Sequence, residues 1–311
     1  MTKHRMTDAA AAPDDLGNGL VVASHGRHCM VEVADGSRLL CHTRGKKSAV
    51  VVGDRVHWQP AGDEGVVDQV ATRRNLLFRQ DEWKTKSFAA NLDQLLVLVA
   101  VEPMYAETQL ARALIAAESA GIPTLIVLNK TDLPTLLAAR ERLAPYGAMG
   151  VAVHEMSLKA GNGEAARAAL GPLLDGKTTL VLGPSGMGKS TLINLMVPAA
   201  EAQVGEISKA LNAGRHTTTD TRWYWLDGER RTALIDSPGF QEFGLRQLKA
   251  TDLGPLMPDI RQQAQACRFY NCSHLHEPGC GVRDALARGA IHPSRYRIYT
   301  ELHAELSATR W

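Results

Sequence analysis

Several features of secreted and membrane proteins are absent from this sequence of 311 residues. Residues 1–15 contain no apolar core long enough for a signal peptide. The longest apolar run, residues 95–101, is too short to cross a bilayer and is typical of a buried strand. The formal net charge is only +2, so bulk charge gives no reason to expect a nucleic-acid partner. We therefore expect a cytoplasmic protein without a membrane partner.

Cysteine is scarce and unevenly placed. Of the five cysteines, Cys29 and Cys41 are isolated, whereas the other three fall within 14 residues. An odd number of cysteines without a secretion signal argues against a disulfide framework and favours a metal site. The sequence does not indicate a role for the two isolated cysteines.

Changes in pattern divide the chain into four predicted segments. Residues 1–17, with an Ala run, charges and a Pro, are expected to be a disordered tail. Residues 18–86 alternate short β-type runs with turn signals, which predicts a small Greek-key barrel of the OB-fold type. Residues 87–248 alternate buried strands with helices, which predicts an α/β domain with a parallel sheet. Residues 249–311 are predicted to form a helical domain that carries the cysteine cluster.

The individual elements follow from the same patterns. In the barrel segment, strands are predicted at 20–22, 30–33, 39–41, 49–52, 56–58 and 66–70. In the α/β segment, strands are predicted at 95–101, 124–128, 151–156, 179–182 and 232–235, with helices at 107–120 and 135–145.

Residues 183–190 lie between a buried strand and an apolar helix, which is the context of a phosphate-binding P-loop. Glycines allow backbone N–H groups to curl around phosphates, and the helix N-terminus adds its positive dipole end. We expect Lys189 to reach the β- and γ-phosphates and Ser190 to bind Mg²⁺. The residues predicted to hold the nucleotide here are Gly183, Pro184, Ser185, Gly186, Met187, Gly188, Lys189, Ser190 and Thr191.

Residues 129–132, Asn-Lys-Thr-Asp, follow a predicted strand and so lie where α/β ligands bind. The Asp132 carboxylate can accept hydrogen bonds from the guanine ring N–H and exocyclic amine, a pair of donors that adenine does not offer. A buried Asp132 left unpaired would cost on the order of several kcal/mol. We therefore expect Asn129, Lys130 and Asp132 to select GTP or GDP, although the tetrapeptide alone is also a common helix start.

Residues 157–160, Ser-Leu-Lys-Ala, give a weaker signal. They follow a predicted strand and are placed where a backbone contact to the guanine carbonyl oxygen would fall. A plain turn between a strand and a helix is the alternative.

Two further segments are predicted to respond to the γ-phosphate. Asp236 ends a strand and is expected to hold Mg²⁺ through water, while the N–H of Gly239 contacts the γ-phosphate and moves when it leaves. Residues 214–219, Gly-Arg-His-Thr-Thr-Thr, lie where the first switch should lie. Thr218 is expected to complete the Mg²⁺ shell, and a solvated Thr-rich loop is the alternative.

The order of these segments is unusual for a P-loop GTPase, because the base-reading residues precede the P-loop by about 50 residues. The same sheet can form with the chain cut elsewhere, since termini in such folds lie at the surface. The segment after Asp236 then leads directly into the cysteine cluster. The sequence therefore predicts that the second switch is connected to the domain that follows.

Three cysteines and one histidine at the spacing C-x4-C-x-H-x5-C predict a closed tetrahedral site for one structural Zn²⁺. No ligand position is left open for water, so hydrolysis at this metal is not expected. Such sites contribute on the order of 10 kcal/mol to the folding of small domains. His276 and His303 are rivals to His274, which the tight spacing favours. The predicted ligands are Cys267, Cys272, His274 and Cys280.

Together these motifs resemble the RsgA family of circularly permuted GTPases, also called YjeQ or EngC. The resemblance covers about residues 18–300 and includes the stretches 51–58 (VVGDRVHW) and 89–94 (AANLDQ). It implies an OB-fold, a permuted GTPase domain and a zinc domain. It also implies GTP hydrolysis coupled to late maturation of the 30S ribosomal subunit, with binding of 16S rRNA and turnover stimulated by the subunit. A monomer is the default expectation.

The sequence is compatible with an RNA partner. Residues 18–90 contain 11 Lys and Arg against 8 Asp and Glu, and OB-folds commonly bind oligonucleotides. A solvated face of mixed charge is the alternative. The candidate basic side chains are Arg44, Lys46, Lys47, Arg73, Arg74, Arg79, Lys84 and Lys86, with a second candidate patch at Arg283, Arg288, Arg295 and Arg297.

Residues 236–239 form an Asp-x-x-Gly motif, and Phe240 follows it directly. Many GTPases carry a water-orienting Gln at this position. We therefore expect slow intrinsic hydrolysis, and another group must position water on activation. His216, beside the switch threonines, is the candidate, and the family resemblance supports it. A purely structural role for His216 is the alternative. The predicted catalytic set is His216, Lys189 and Thr218.

Other functions remain compatible with the sequence. A P-loop ATPase or small-molecule kinase would bind ATP as well as GTP, and Asp132 discriminates against it. A nucleic-acid-binding module would use the nucleotide as a conformational switch without ribosome-stimulated turnover. A factor acting in translation elongation is a third alternative.

Overall fold

The computed structural model describes residues 17–25, 27–44, 50–80, 85–198, 200, 221–237, 245 and 247–308. The strands are β1 (Gly17–His25), β2 (His28–Glu32), β3 (Arg38–Thr43), β4 (Arg55–Ala61), β5 (Glu64–Val70), β6 (Leu76–Gln80), β7 (Thr85–Ala90), β8 (Gln94–Ala100), β9 (Thr124–Asn129), β10 (Ala152–Glu155), β11 (Thr178–Leu182), β12 (Arg222–Trp225) and β13 (Ala233–Asp236). The helices are α1 (Glu107–Ser119), α2 (Leu136–Ala148), α3 (Glu164–Leu174), α4 (Lys189–Met196), α5 (Ala250–Leu253), α6 (Pro258–Ala264), α7 (Gly281–Ala287) and α8 (Pro293–Ala308), with a 3₁₀ turn at Ala160–Gly163.

The first five strands close into a barrel. β1 pairs with β2 and β4, β2 with β3, and β4 with β5, all antiparallel, whereas β3 and β5 are parallel. A closed five-stranded barrel of this kind is the architecture of an OB-fold, which confirms the prediction from the short runs and turn signals.

The predicted strand at 49–52 is wrong in its described part. Only Val52 forms a bridge, to Ala89. The N–H of Val51 donates instead to the Asp54 carboxylate at 2.9 Å, and Gly53 has a φ of 90°. The chain therefore turns here, because glycine readily adopts this backbone conformation and the Asp54 side chain satisfies the turn.

The barrel has a small core of its own. Cys29 and Cys41 face each other across β2 and β3. Burial raises the pKa of Cys29 to about 12 and that of Cys41 to about 11, so both thiols stay protonated at neutral pH. They therefore act as small apolar side chains. The buried residues of this core are Val21, Cys29, Val31, Cys41, Val56 and Val67.

The α/β part is built on parallel strands in the order β10-β9-β8-β11-β13. All seven residues of β8 are buried, which is typical of a strand covered on both faces. Each fully buried large aliphatic side chain contributes roughly 1.5–3 kcal/mol, so this strand anchors the core. β12 lies antiparallel to β13 and joins the sheet to the barrel through the pair Ala23 and Arg222.

The described helices and strands of the α/β part lie within three residues of the predicted bounds, except for elements that the patterns did not indicate. These are the β6–β7 hairpin, α3 and β12. The hairpin crosses the predicted boundary at residues 86–87, and its Leu77 and Phe88 are buried in the same core as β8.

A buried arginine joins two C-terminal helices to each other and contacts the α/β part. Arg295 on α8 is only 2% exposed, and its guanidinium donates to the Asp259 carboxylate at 2.8 Å. The same guanidinium lies over the ring of Tyr146 on α2, 5.1 Å from its centroid. The prediction that Arg295 belongs to a basic surface patch is therefore wrong.

Among the described residues, no helix has both the length and the apolar character that a membrane span requires.

Candidate functional site

The parallel strands bring distant segments to one edge of the sheet. Asn129 at the end of β9 lies beside Ala100 at the end of β8, and Asp236 at the end of β13 lies beside Val181 of β11. The predicted P-loop leaves β11 at this same edge. Ligands of open α/β sheets bind outside the carboxyl ends of the strands, so the predicted nucleotide residues lie where such a site forms.

The predicted P-loop is a turn between β11, which ends at Leu182, and α4, which begins at Lys189. Gly186 and Gly188 have φ values of 81° and 103°, which other residues rarely adopt. A Cβ atom at Gly188 would lie 2.4 Å from Nδ2 of Asn129. Glycine is therefore needed at this position both for the turn and for the close approach of the base-reading segment.

Lys189 joins the P-loop to the end of β13. Its ammonium donates to Oδ1 of Asp236 at 2.5 Å, and the two side chains are 16% and 24% exposed. Ser190 follows on the first turn of α4 and is exposed. A cation, a carboxylate and a hydroxyl beside a helix N-terminus are groups suited to a phosphate and to an oxygen-coordinated Mg²⁺.

Asn129 is buried and connects three segments. Its Nδ2 donates to the carbonyl oxygen of Met187 in the P-loop at 2.8 Å. Its Oδ1 accepts from the N–H of Lys130 at 2.7 Å and from that of Leu158 at 3.0 Å. The side chain thus holds the base-reading segment, the P-loop and the segment after β10 in one arrangement.

Asp132 is exposed, and the Oγ of Ser157 donates to its Oδ1 at 2.6 Å. That hydrogen bond lowers the pKa of Asp132, so the carboxylate is ionised at neutral pH. The structure therefore brings together the strong and the weak predicted base-reading segments. Because Asp132 is open to solvent in the chain alone, the penalty for an unpaired carboxylate applies only when a base covers it.

The loop after β8 also reaches the site, which motif matching does not reveal. The Lys130 ammonium donates to the carbonyl oxygen of Glu102 at 2.7 Å, and Thr135 donates to the Glu102 carboxylate at 2.6 Å. A Cβ atom at Gly186 would lie 3.3 Å from Pro103. The signal in the sequence is positional, since residues 102–103 follow a buried strand that ends at the same edge.

Several predicted residues lie outside the described part of the chain. They include the switch segment 214–219 with His216 and Thr218, as well as Gly239. Their roles stay predictions. The same holds for the side chains of Lys46, Lys47, Arg79, Lys84 and Lys86 in the proposed basic face.

The other three candidate basic residues of the barrel segment form ion pairs with acidic side chains. The ion pairs are Arg44 with Asp68, Arg73 with Asp54, and Arg74 with Asp93. Since each positive charge has a negative partner, these three arginines favour the mixed-charge alternative over a phosphate-binding patch.

The predicted zinc ligands lie together. The Nδ1 of His274 is 3.4 Å from Sγ of Cys267 and 3.6 Å from Sγ of Cys280, and the two sulfurs are 4.0 Å apart. All four donor atoms, including Sγ of Cys272, lie within 4.8 Å of one another. A tetrahedral Zn²⁺ with bonds of about 2.0–2.3 Å spaces its donors by roughly 3.5–3.8 Å, so the cluster fits this ion.

The surroundings of the cluster favour His274 over its rivals. His274 has a φ of 63°, which a residue other than glycine adopts only when its surroundings impose it. Tyr296 and Tyr299 on α8 donate to the carbonyl oxygens of His274 and Ser273, respectively, at 2.7 and 2.8 Å. Neither His276 nor His303 belongs to the group of donors found in the described residues. The helix α8 thus holds the segment that presents the imidazole.

Comparison with known proteins gives a consistent result. A family model described as RsgA GTPase matches residues 70–246. A protein named small ribosomal subunit biogenesis GTPase RsgA from Variovorax paradoxus (strain S110) is 61% identical, over 95% of this chain and 94% of the relative. A protein of the same name from Burkholderia pseudomallei (strain K96243) is 54% identical, over 96% of this chain and 95% of the relative.

Two solved structures share the architecture. The crystal structure of YjeQ from Thermotoga maritima has a TM-score of 0.70 and 30% sequence identity, and covers 94% of this chain and 99% of that protein. The structure of YloQ, described as a circularly permuted GTPase, has a TM-score of 0.69 and covers 100% of this chain and 99% of that protein. At 24% identity, the second match supports the fold alone.

Proposed function

This chain belongs to the RsgA GTPase family, and on that basis we propose that it hydrolyses GTP in the late maturation of the 30S ribosomal subunit. The observation that carries the proposal is the convergence of Lys189, Asp236 and the base-reading residues at one edge of the sheet. It occurs in a chain that is 61% identical to a relative named for small-subunit biogenesis. A P-loop alone does not choose a base, whereas Asp132 beside Ser157 offers a carboxylate to guanine.

The phosphates are held by the P-loop. When nucleotide binds, Lys189 exchanges the Asp236 carboxylate for oxygens of the β- and γ-phosphates. Asp236 is then free to hold Mg²⁺ through water, together with Ser190 and Thr218. A Mg²⁺ ion held by these residues would supply positive charge that offsets the charge developing on the phosphates. The backbone N–H groups of the P-loop and the N-terminus of α4 supply the remaining positive potential.

The base is read by the segments that Asn129 holds together. Its hydrogen bonds to the P-loop and to Leu158 fix the position of the neighbouring Asp132 relative to the phosphates. Ser157 occupies one side of the Asp132 carboxylate, which leaves the other side to accept from guanine. Preorganisation of this kind lowers the ordering cost of binding.

Hydrolysis requires a group that positions water. Phe240 stands where many GTPases carry Gln, so intrinsic turnover is slow, and His216 takes this role on the activated complex. GTP orders the switch segments, the 30S subunit supplies the activation, and the segment around Gly239 changes conformation when the γ-phosphate leaves.

The metal cluster has a structural role. Cys267, Cys272, His274 and Cys280 would hold one Zn²⁺, and four protein ligands would leave no position for a reactive water. Zinc bound here closes the loops between α6 and α7 and so stabilises the domain that follows the second switch. The protein acts as a cytoplasmic monomer that binds 16S rRNA within the 30S subunit.

The test is GTP turnover by the purified protein, alone and with added 30S subunits, with ATP as the control. The proposal predicts slow turnover alone, strong stimulation by the subunit, and no stimulated ATP turnover. Tight GTP binding without stimulation would contradict it and would favour a nucleotide-switched nucleic-acid-binding module. Equal turnover of ATP would contradict the base assignment.

A further inference from the structure

An exposed aromatic pair lies on the short loop between two of the zinc-cluster cysteines. Tyr270 is fully exposed and Phe269 is 40% exposed. In the described part of the chain, the other large apolar side chains with comparable exposure, Met104 and Leu137, lie singly in the α/β part. Adjacent exposed aromatic rings on one loop mark a contact surface more strongly than isolated apolar residues do.

The loop is held in place from both sides. The N–H of Cys272 donates to the carbonyl oxygen of Phe269 at 3.3 Å. The N–H of Arg268 donates to the carbonyl oxygen of Gly279 at 2.9 Å. The guanidinium of Arg268 lies over the Phe269 ring, 5.5 Å from its centroid. The rings therefore project from a fixed turn, and little ordering is needed when they make a contact.

Two arginines lie on or near this loop. Within the described residues, neither Arg268 nor Arg283 has an ion-pair partner, and both lie near Gly279, which contacts Arg268 and lines a cleft with Arg283. Most other arginines of the domain are engaged with carboxylates. These pairs are Arg261 with Glu118, Arg295 with Asp259, and Arg297 with Glu301.

Two acidic residues lie in the same region, and one of them accepts backbone hydrogen bonds. The Glu277 carboxylate accepts hydrogen bonds from the N–H groups of Ser273 and His276. Asp284 also lines the cleft, so the two arginines share this region with two carboxylates, neither of which forms an ion pair with them among the described residues. The surface thus combines two exposed aromatic rings with two arginines available for phosphate.

We propose that Tyr270 stacks on an unpaired nucleobase of ribosomal RNA while Arg268 and Arg283 hold the flanking phosphates. Single-stranded RNA is recognised by stacking of its splayed bases on aromatic rings and guanidinium planes, whereas a duplex keeps its base faces covered. This inference rests on the proposed function, because the RNA partner comes from it. Among RNA forms, an unpaired segment is the one that a projecting ring can engage.

The experiment measures the affinity of the zinc-loaded protein for a fluorescein-labelled single-stranded RNA of about 12 nucleotides, a length within the usual range for such sites. Tyr270→Ala should weaken binding on the order of tenfold, because one base loses its stacking partner. Tyr270→Trp should bind within about twofold of the unchanged protein. Leu137→Ala, which removes an exposed apolar side chain on α2 in the α/β part, is the matched control and should have no effect.

Salt dependence separates stacking from charge. Arg283→Gln should lower the slope of log affinity against log salt concentration by about 0.7, the value for one phosphate contact on a single strand. Tyr270→Ala should leave that slope unchanged. An unchanged affinity of Tyr270→Ala, with zinc still bound, would overturn the proposal. So would a duplex of the same sequence binding as tightly as the single strand.

The outcome is distinguishable from failure of the proposed function. RNA affinity is measured without GTP and without subunits, whereas the proposed function stands on stimulated GTP turnover. If Tyr270→Ala lost binding to intact 30S subunits but kept its affinity for protein-free RNA, the ring would contact a ribosomal protein and the proposal would be wrong. Basal GTP turnover should be the same in all these variants.

Discussion

The two sites of this protein are assembled in opposite ways. The zinc cluster takes its four donors from 14 consecutive residues. The predicted nucleotide site takes its side chains from the ends of different strands and the segments after them, from Asn129 at the end of β9 to Asp236 at the end of β13. The first site needs only short loops to close, whereas the second exists only if the whole parallel sheet is in register.

This difference assigns a different source of stability to each site. Closing short loops around a metal requires little prior structure, so the metal itself can organise the C-terminal domain. The nucleotide site is organised instead by burial of strands such as β8, all of whose residues are buried. Zinc removal and changes at the nucleotide site should therefore have separable effects.

The largest expected effect follows from removal of a zinc ligand. In Cys272→Ser, the hydroxyl does not ionise at neutral pH and does not replace the thiolate. We expect loss of bound zinc and a loss of stability of several kcal/mol in the C-terminal domain, seen as a fall of about 10 °C or more in its thermal transition. Elemental analysis and calorimetry measure the two quantities.

The same variant tests the separation of the two sites. GTP affinity should stay within about threefold of the unchanged protein, because the sheet that forms the nucleotide site is intact. Cys29→Ala, a change at a cysteine in the barrel core, is the control and should keep one zinc per chain. If Cys272→Ser lost GTP binding together with zinc, the conclusion that the two sites are stabilised separately would be contradicted.

The next largest effect is expected on GTP turnover when the P-loop lysine is replaced. Lys189→Ala should lower GTP turnover on the order of 10²- to 10³-fold, because a charge aimed at the reacting phosphate is removed. Zinc content and the thermal transition of the C-terminal domain should not change. Lys249→Ala, at an exposed lysine before α5, is the control. Turnover within a few-fold of normal in Lys189→Ala would contradict the placement of the phosphates.

The smallest of these effects is expected from Asn129→Ala. The change leaves the carbonyl oxygen of Met187 and the N–H groups of Lys130 and Leu158 without their partner. Such losses cost about 1–3 kcal/mol. We expect GTP affinity, measured by titration calorimetry, to fall about tenfold with zinc retained. Asn271→Ala, at an exposed residue between Cys267 and Cys272, is the control and should not change GTP affinity. An unaltered affinity in Asn129→Ala would show that the three segments do not depend on this side chain.

The same contrast explains what the sequence could predict. The four zinc-cluster residues lie close together in the sequence, so the cluster can be predicted from their spacing without any knowledge of the fold. The P-loop can be predicted because its glycines and Lys189 form one short sequence motif for phosphate binding. The bridging role of Asn129 and the contact of Glu102 with Lys130 depend on which strands are neighbours, which local patterns do not contain.

The burial of Arg295 and the turn at residues 51–54 were equally hard to predict. Arg295 resembles a surface arginine in sequence, yet it is covered because Asp259 and Tyr146 meet it from two other helices. The apolar run 49–52 resembles a strand, but the Asp54 side chain and Gly53 turn the chain there. In both cases the deciding partner is a side chain that periodicity does not weigh.

The most direct test of the nucleotide site is the base preference of Asp132→Asn. If Asp132 reads guanine, its carboxylate accepts from the ring N–H and the amine of the base, whereas an amide also donates and so suits the carbonyl that xanthine carries in place of that amine. Affinities for GTP and xanthosine triphosphate are compared in the unchanged protein and the variant. We predict that preference for GTP falls roughly a hundredfold or more and that xanthosine triphosphate is gained. An unchanged preference for GTP in the variant would contradict the conclusion that this edge of the sheet reads guanine.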